Sequence, residues 1–305
     1  MRYLAVRDDD LCYFTPTGVI ETLYGAVFPR VPVSFACVSH TVPEHGDKVC
    51  FSKAAAPGYY ALGDNKQLVE YVQRHIDKRQ CEVMVHGCTH EERPVHGTWL
   101  AECLWKPQAQ LTEEIADACG YLTSLFGVRP RVFVPPNNVI GRSGVEATSA
   151  AGLDLSALLG WRLDRPWSLQ YASCYQKRWA YALAHRRPYP FTLDFGTHRE
   201  LGAYRLCDAA AFEWVMSCLH ACAEADAPFV VATHYWQLAA DEGLHSALSR
   251  VIDAALDLGY LPATVSDAIA GKRLTANVAR HSDGAREFHP LISGGFTRGR
   301  SSSHS

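Results

Sequence analysis

The 305-residue chain has no apolar run near the ~18 residues of a membrane span. It has little excess of charge, with a formal net of −3 and 20% charged residues. That argues against a dedicated nucleic-acid binder, which needs a basic stripe. The 48% apolar content excludes wholesale disorder and collagen-like structure. There is no internal repeat. Eleven cysteines are present but no C-x-x-C pair, which argues against a thiolate zinc site. The odd number and the scatter of Cys37, Cys119, Cys218 and Cys222 through apolar segments suit small buried hydrophobes in a reducing compartment. Met1-Arg2 leads directly into Tyr3-Leu4-Ala5-Val6 and then Arg7-Asp8-Asp9-Asp10. This lacks the 7–15 apolar residues and cleavage site of a secretory signal, so the expected location is cytoplasmic.

Short apolar runs alternate with helical patterns. Strands are predicted at 3–7, 31–38, 81–85, 131–134, 153–159, 191–195, 229–232 and near 261–265. Helices are predicted from Asp64 (Leu68, Val72 and Ile76 on one face), from Thr112 to a stop at Gly127, from Asp208, and from Leu244 to Gly259. This alternation predicts an α/β fold with a parallel sheet, and periodicity alone does not decide between a closed barrel and an open sheet. A single domain over 1–275 is expected. Residues 276–305, ending in SGGFTRGRSSSHS, read as a mostly disordered tail. Long loops are expected near 39–63, 92–109 and 160–190. The last carries Trp161, Trp167, Tyr171, Tyr175, Trp179 and Tyr181, either a small subdomain core or a substrate-binding wall.

Four predicted strands run into unusual polar residues: Asp8-Asp9-Asp10, His86-Gly87-Cys88-Thr89-His90, Pro135-Pro136-Asn137-Asn138 and Thr233-His234-Tyr235-Trp236. In parallel α/β folds the carboxyl ends of the strands face the active site. The spacing of His86 and His90 would put two imidazoles on one face of a helical turn, as cis ligands of one ion. The Glu of the H-E-x-x-H metalloprotease motif is missing. Three adjacent carboxylates are costly to bury without a cation. In an ideal strand Asp8 and Asp10 share a face; two adjacent acids both point into a site only where the strand has ended. Spacing does not say which two face inward. His234 suits a general acid. His40 and His96 are further candidates to line the site, while His75, His220 and His245 read as structural or solvated. Asp154 and Asp194 are structural or partners of an imidazole.

The order Asp-Asp, H-x-x-x-H, proline-rich strand end and late His resembles the polysaccharide deacetylase family, with its NodB-homology fold. Val6–Asp10, Val85–His90 and Phe133–Asn137 look most like its intracellular DUF2334-type branch. The resemblance spans about residues 3–265. It implies a distorted (β/α) barrel of about seven strands. It further implies Asp9 as general base, Asp10, His86 and His90 as metal ligands, and His234 as general acid. Pro135, Pro136, Asn137, Asn138 and Trp236 would bind substrate. The implied metal is zinc and the implied substrate an N-acetylated carbohydrate. A cytoplasmic enzyme would act on a nucleotide-linked, lipid-linked or small soluble N-acetyl sugar, with Trp236, Trp99 and Trp161 available to stack on sugar faces. Two departures stand out. Val134 replaces the family's usual Arg before the proline pair, and Asn137-Asn138 replaces a common aromatic-Gly. The charge partner of Asp9 is then Arg7 or Arg142.

The implied reaction is hydrolysis of an N-acetyl amide by metal-activated water, with Asp9 taking a proton and His234 giving one to the amine. The alternatives are a metal-dependent amidohydrolase on a non-sugar amide, an inactive carbohydrate-binding relative, and a non-haem iron oxygenase.

Overall fold

Strand β1, Tyr3–Leu11, is buried along all nine residues and is the centre of the molecule. In chain order the other strands of its sheet are β2 (Val33–Cys37), β3 (Cys81–Val85), β4 (Val132–Phe133), β5 (Asp154–Ala157), β6 (Leu193–Asp194), β7 (Arg199–Gly202), β8 (Tyr204–Arg205), β9 (Phe229–His234) and β10 (Leu261–Pro262). The computed structural model describes residues 1–43, 45, 56–157, 165 and 167–271, all within one compact unit. Trp161 and the tail over 276–305 lie outside the described residues.

The sheet runs β6–β7–β5–β4–β3–β2–β1–β9–β8, with β10 also on β1, and every pair is parallel except β6–β7. One stretch closes it into a ring. Residues 199–202 pair with β5, and after Ala203 the same segment pairs with β9. The Ala203 amide donates to Ala157 O at 3.2 Å and the Leu206 amide to Ala232 O at 2.8 Å. The staves are therefore β1 to β5, the 199–205 segment and β9, the distorted seven-stranded α/β barrel that the family resemblance implies.

Alternation along the strands separates two cores. Leu4, Val6, Phe35, Val83, Val85 and Val231 face the surrounding helices. Tyr3, Ala5, Ala36, Met84, Val132, Val134, Val230 and Ala232 fill the barrel. The end at the strand N-termini is filled by the helix Val265–Ala270, with Val265 and Ile269 in the inner core. Ser34 Oγ accepts from the Val265 amide and Glu82 Oε1 from the Ser266 amide, each at 3.0 Å. The strand carboxyl ends open at the opposite mouth.

The helices follow their local signals. Asn65, one residue past Asp64, caps Lys66–Asp77. Gly127 ends Gln108–Phe126 in the left-handed conformation, and Asp208 caps Ala209–Glu224. Within the expected 160–190 loop lies a helix, Leu169–His185, capped by Ser168. Its Tyr171, Cys174 and Tyr175 pack on Leu193 and Phe195 as a small separate core. For those tyrosines the subdomain reading holds.

Candidate metal centre and active site

The strand does not end before the acids, contrary to the expectation. It continues to Leu11 with a register shift against β2 between Asp8 and Leu11, and Asp10 adopts φ +74°. Such a bulge turns a side chain against the pleat. Asp8 stays on the outer face, accepting hydrogen bonds from the Tyr24 hydroxyl and, at 2.9 Å, from Thr233 Oγ1. Burial raises its pKa to about 8. Asp9 and Asp10 both belong to the mouth.

Asp9 is held by Arg7, two residues earlier on the same strand. Arg7 Nη2 donates to Asp9 Oδ2 at 2.7 Å and to Asn138 Oδ1 at 2.7 Å, while Nη1 donates to Ser156 O at 3.0 Å. Arg7 is thus the charge partner; Arg142 instead pairs with Glu146 on its own helix. Asn138 reaches the site through Arg7, and Asn137 donates to Glu92 Oε1 at 2.6 Å. Pro135 and Pro136 follow β4, with Pro136 against Gly87.

Asp10 Oδ1 lies 3.1 Å from His86 Nε2, 3.4 Å from His90 Nε2 and 3.6 Å from His45 Nε2. Its other oxygen accepts from Trp236 Nε1 at 3.0 Å and lies 3.9 Å from His234 Nε2. Burial opposes ionisation of Asp10. The hydrogen bond from His86 and the nearness of His45, His90 and His234 outweigh it and hold the carboxyl well below its ordinary range. His86 Nδ1 donates to Val134 O at 2.8 Å, which turns Nε2 toward Asp10. Burial pushes the His90 imidazole down, toward the neutral form a metal ligand needs. Nδ1 of His234 is buried without a hydrogen-bond partner among the described residues.

Residues 86–90 are not the helical turn that the spacing suggested. They form an irregular loop, with Gly87 at φ +67° and His90 at φ +56°, that still brings the two rings to 5.0 Å. The buried carboxylate of Glu102 pins this loop. It accepts from the Cys88 amide at 2.8 Å, the Thr89 amide at 3.1 Å, Thr89 Oγ1 at 2.8 Å and Lys106 Nζ at 3.1 Å.

Of these donors, Asp10, His45 and His90 lie close enough together to share one divalent ion, while His86 is near Asp10 Oδ1 but is not part of that mutually close set. Ligand bonds of roughly 2.0–2.1 Å to one tetrahedral ion set donor atoms about 3.3–3.4 Å apart. The separations from Asp10 Oδ1 bracket that value, and the donors are the imidazole and carboxylate groups that hold zinc. Asp10, His45 and His90 offer donor atoms all within 4.8 Å of one another. A cavity of about 660 Å³ opens beside them, lined by His45, His90, Glu92, Arg93, Pro94 and Trp99 among others.

Sequence reasoning missed two members of this arrangement. His45 lies in the 39–63 loop with no ligand spacing to His86 or His90; the only signal was the length of that loop. Glu102 was legible only as an i, i+4 pair with Lys106 in the 92–109 stretch. His40, chosen from the first loop, packs on Tyr121 and contacts Ser39 Oγ at 3.2 Å. Asp154 pairs with Arg199 at 2.6 Å, a structural role. His96 is exposed on a small hairpin.

No family model matches the sequence, and no curated protein matches it, so the narrower DUF2334-type resemblance has no counterpart in these comparisons. Solved structures do match. A Mycobacterium smegmatis protein provisionally described as a polysaccharide deacetylase is 13% identical, with 92% of this chain and 95% of that chain covered and a TM-score of 0.51. A family 4 carbohydrate esterase from Streptomyces lividans, in complex with acetate, is 13% identical over 87% of this chain and 93% of that chain, with a TM-score of 0.47. A carbohydrate esterase family 4 pseudoenzyme from Bacillus anthracis is 10% identical over 90% of this chain and 67% of that chain, with a TM-score of 0.47. The feature shared at such low identity is the fold: this chain has the NodB-type barrel of the polysaccharide deacetylases.

Proposed function

We propose that the protein is a metal-dependent hydrolase that removes the acetyl group from an N-acetylated carbohydrate, with Asp10, His86 and His90 holding the ion. The observation that carries this reading is the convergence on Asp10 Oδ1 of two imidazoles at 3.1 and 3.4 Å, beside a second carboxylate, Asp9, gripped by a buried arginine. Zinc is the first choice for a site of imidazole and carboxylate donors. Bound there, the ion supplies polarisation of the amide carbonyl and a lowered pKa for water.

The chain's own groups do the rest. Asp9 presents Oδ1, which is buried and has no hydrogen-bond partner among the described residues, while Arg7 holds Oδ2. That oxygen accepts the proton of the attacking water as the new C–O bond forms. His234 delivers a proton to the amine nitrogen as the C–N bond breaks, giving acetate and an amino sugar. Trp236 keeps one oxygen of Asp10 turned away from His86 and His90, which supports a role in orienting a ligand beside the expected contact with sugar. Trp99 is two-thirds exposed on the cavity wall and supplies a face on which a sugar ring can stack. The α/β barrel disfavours the iron oxygenase reading, which belongs to an all-β scaffold. A cytoplasmic setting, part of the same proposal, points to nucleotide-linked, lipid-linked or soluble N-acetyl sugars.

The test is acetate release from a panel of such sugars by zinc-reconstituted protein. Turnover is expected from wild type. Asp9→Asn is expected to bind the ion yet lose about 10²–10⁴-fold in kcat, the usual worth of a general base. Full activity of Asp9→Asn, or no acetate from any member of the panel, contradicts the proposal.

A further inference from the structure

We propose that His45 is a fourth protein ligand of the ion, so that the chain supplies one carboxylate and three imidazoles. This rests on the metal-centre reading above and goes beyond the ligand set that the motifs imply.

The argument begins at Asp10, whose two oxygens face different neighbours. Trp236 bonds Oδ2, and His234 lies on that side. Oδ1 faces His86, His90 and His45 together. Of those three separations, only the 3.1 Å to His86 lies in the usual range of an N–H···O hydrogen bond. The 3.4 Å to His90 and 3.6 Å to His45 are long for hydrogen bonds. They are close to the separation of two donors on a common ion, about 3.3–3.4 Å for bonds of zinc length. The ring of His45 is 5% exposed and stacks on that of His90, with centroids 3.9 Å apart and planes 21° from parallel. Two buried, stacked imidazoles aimed at one carboxylate oxygen would repel if both were protonated. A shared cation takes both as neutral donors and satisfies the carboxylate as well.

Four protein donors would complete a closed tetrahedral set, whereas a hydrolytic site needs room for water. With Asp10, His86, His90 and His45 all holding it, an ion there would need room for a fifth ligand to supply activated water, as zinc allows in some transition states. His45 sits on the wall of the 660 Å³ cavity, so it also forms the boundary between the metal and the space open to substrate.

The test uses full-length protein stripped with chelator and titrated with Co2+, read by bound stoichiometry and the visible spectrum. Wild type is expected to bind one equivalent, and His86→Ala to lose binding. His45→Ala is expected to bind more weakly by about tenfold or more, with changed ligand-field bands because one nitrogen donor is gone. His45→Cys adds a gain of signal: a thiolate on the ion produces a near-ultraviolet charge-transfer band absent from wild type. His40→Ala, in the same loop, serves as the control and should match wild type, with circular dichroism confirming that each variant folds. A wild-type spectrum and affinity in His45→Ala, with no new band in Co2+-loaded His45→Cys, overturn the assignment of His45 and leave the three-ligand centre standing. Failure of wild type to bind Co2+ defeats the metal centre itself, and the fourth ligand with it.

Discussion

Asp8, Asp9 and Asp10 carry the same carboxyl group in three environments, and their chemistry diverges accordingly. Asp8 points outward into a pocket with two hydroxyls, where burial lifts its pKa to about 8 from an ordinary value of 3.8. The folded chain then keeps a proton that the unfolded chain releases between about pH 4 and pH 8, so wild-type stability falls as pH rises through that window. Asp8→Asn preserves the acceptor oxygen and abolishes the titration. Urea unfolding at pH 5 and pH 8.5 should show the variant gaining a few kcal/mol on wild type between the two; the histidines are common to both proteins and cancel. Equal pH slopes would contradict the assignment. Asp9 depends instead on Arg7. Arg7→Met leaves a buried carboxylate unpaired, which costs about 3–5 kcal/mol. Adding Asp9→Asn should recover part of that loss in the same assay, and strict additivity would show that the pair is not coupled. At this scale the sequence made the acids and three of the four histidines legible, because each lies at or just past the carboxyl end of an apolar strand pattern. It left the inward-facing acids open, since the answer lies in a bulge at Asp10 that alternation does not foretell.

Between strand β3 and the mouth, the loop carrying His86 and His90 shows how elements position side chains at the site. Gly87 is at φ +67°, and a Cβ there would sit 1.7 Å from Glu102 Oε1 and 2.7 Å from Pro136 Cγ. The glycine lets a buried carboxylate approach the backbone and bind two successive amides between the histidines. Gly87→Ala should displace Glu102, weaken metal affinity by about 10–100-fold as loss of an outer support does, and lower thermal stability. Unchanged affinity by chelator competition would show that Glu102 does not set the loop. The long strands and capped helices were readable because hydrophobic alternation and Asp, Asn or Gly punctuation mark them directly. Strands β7 and β8 were not. They are short, and Glu200, charged yet buried, interrupts the apolar pattern. It is tolerated there because Arg165 and His198 bind it, outweighing burial and holding its pKa at about 2. The helix Leu169–His185 was hidden for a related reason: its buried face is aromatic and polar, and it packs on a small core of its own.

Across the whole molecule, one end of the barrel is filled and the other collects chemistry. The helix Val265–Ala270 seats in the inner core at the strand N-termini. The carboxyl ends of β1, β3, β4 and β9 bring together residues 9–10, 86–90, 134–138 and 234–236. This convergence explains why four short motifs, far apart in the chain, meet at one mouth, and why His45, which arrives from a loop and not from a strand end, did not announce itself. Among the described residues no helix is long and apolar enough to cross a membrane. The central claim is that the mouth of this barrel grips one divalent ion. Anomalous diffraction at the zinc edge from zinc-soaked crystals tests it most directly. The account predicts a single strong peak within bonding distance of Asp10 Oδ1, His86 Nε2 and His90 Nε2. No peak there, or a peak only on surface histidines, would contradict it.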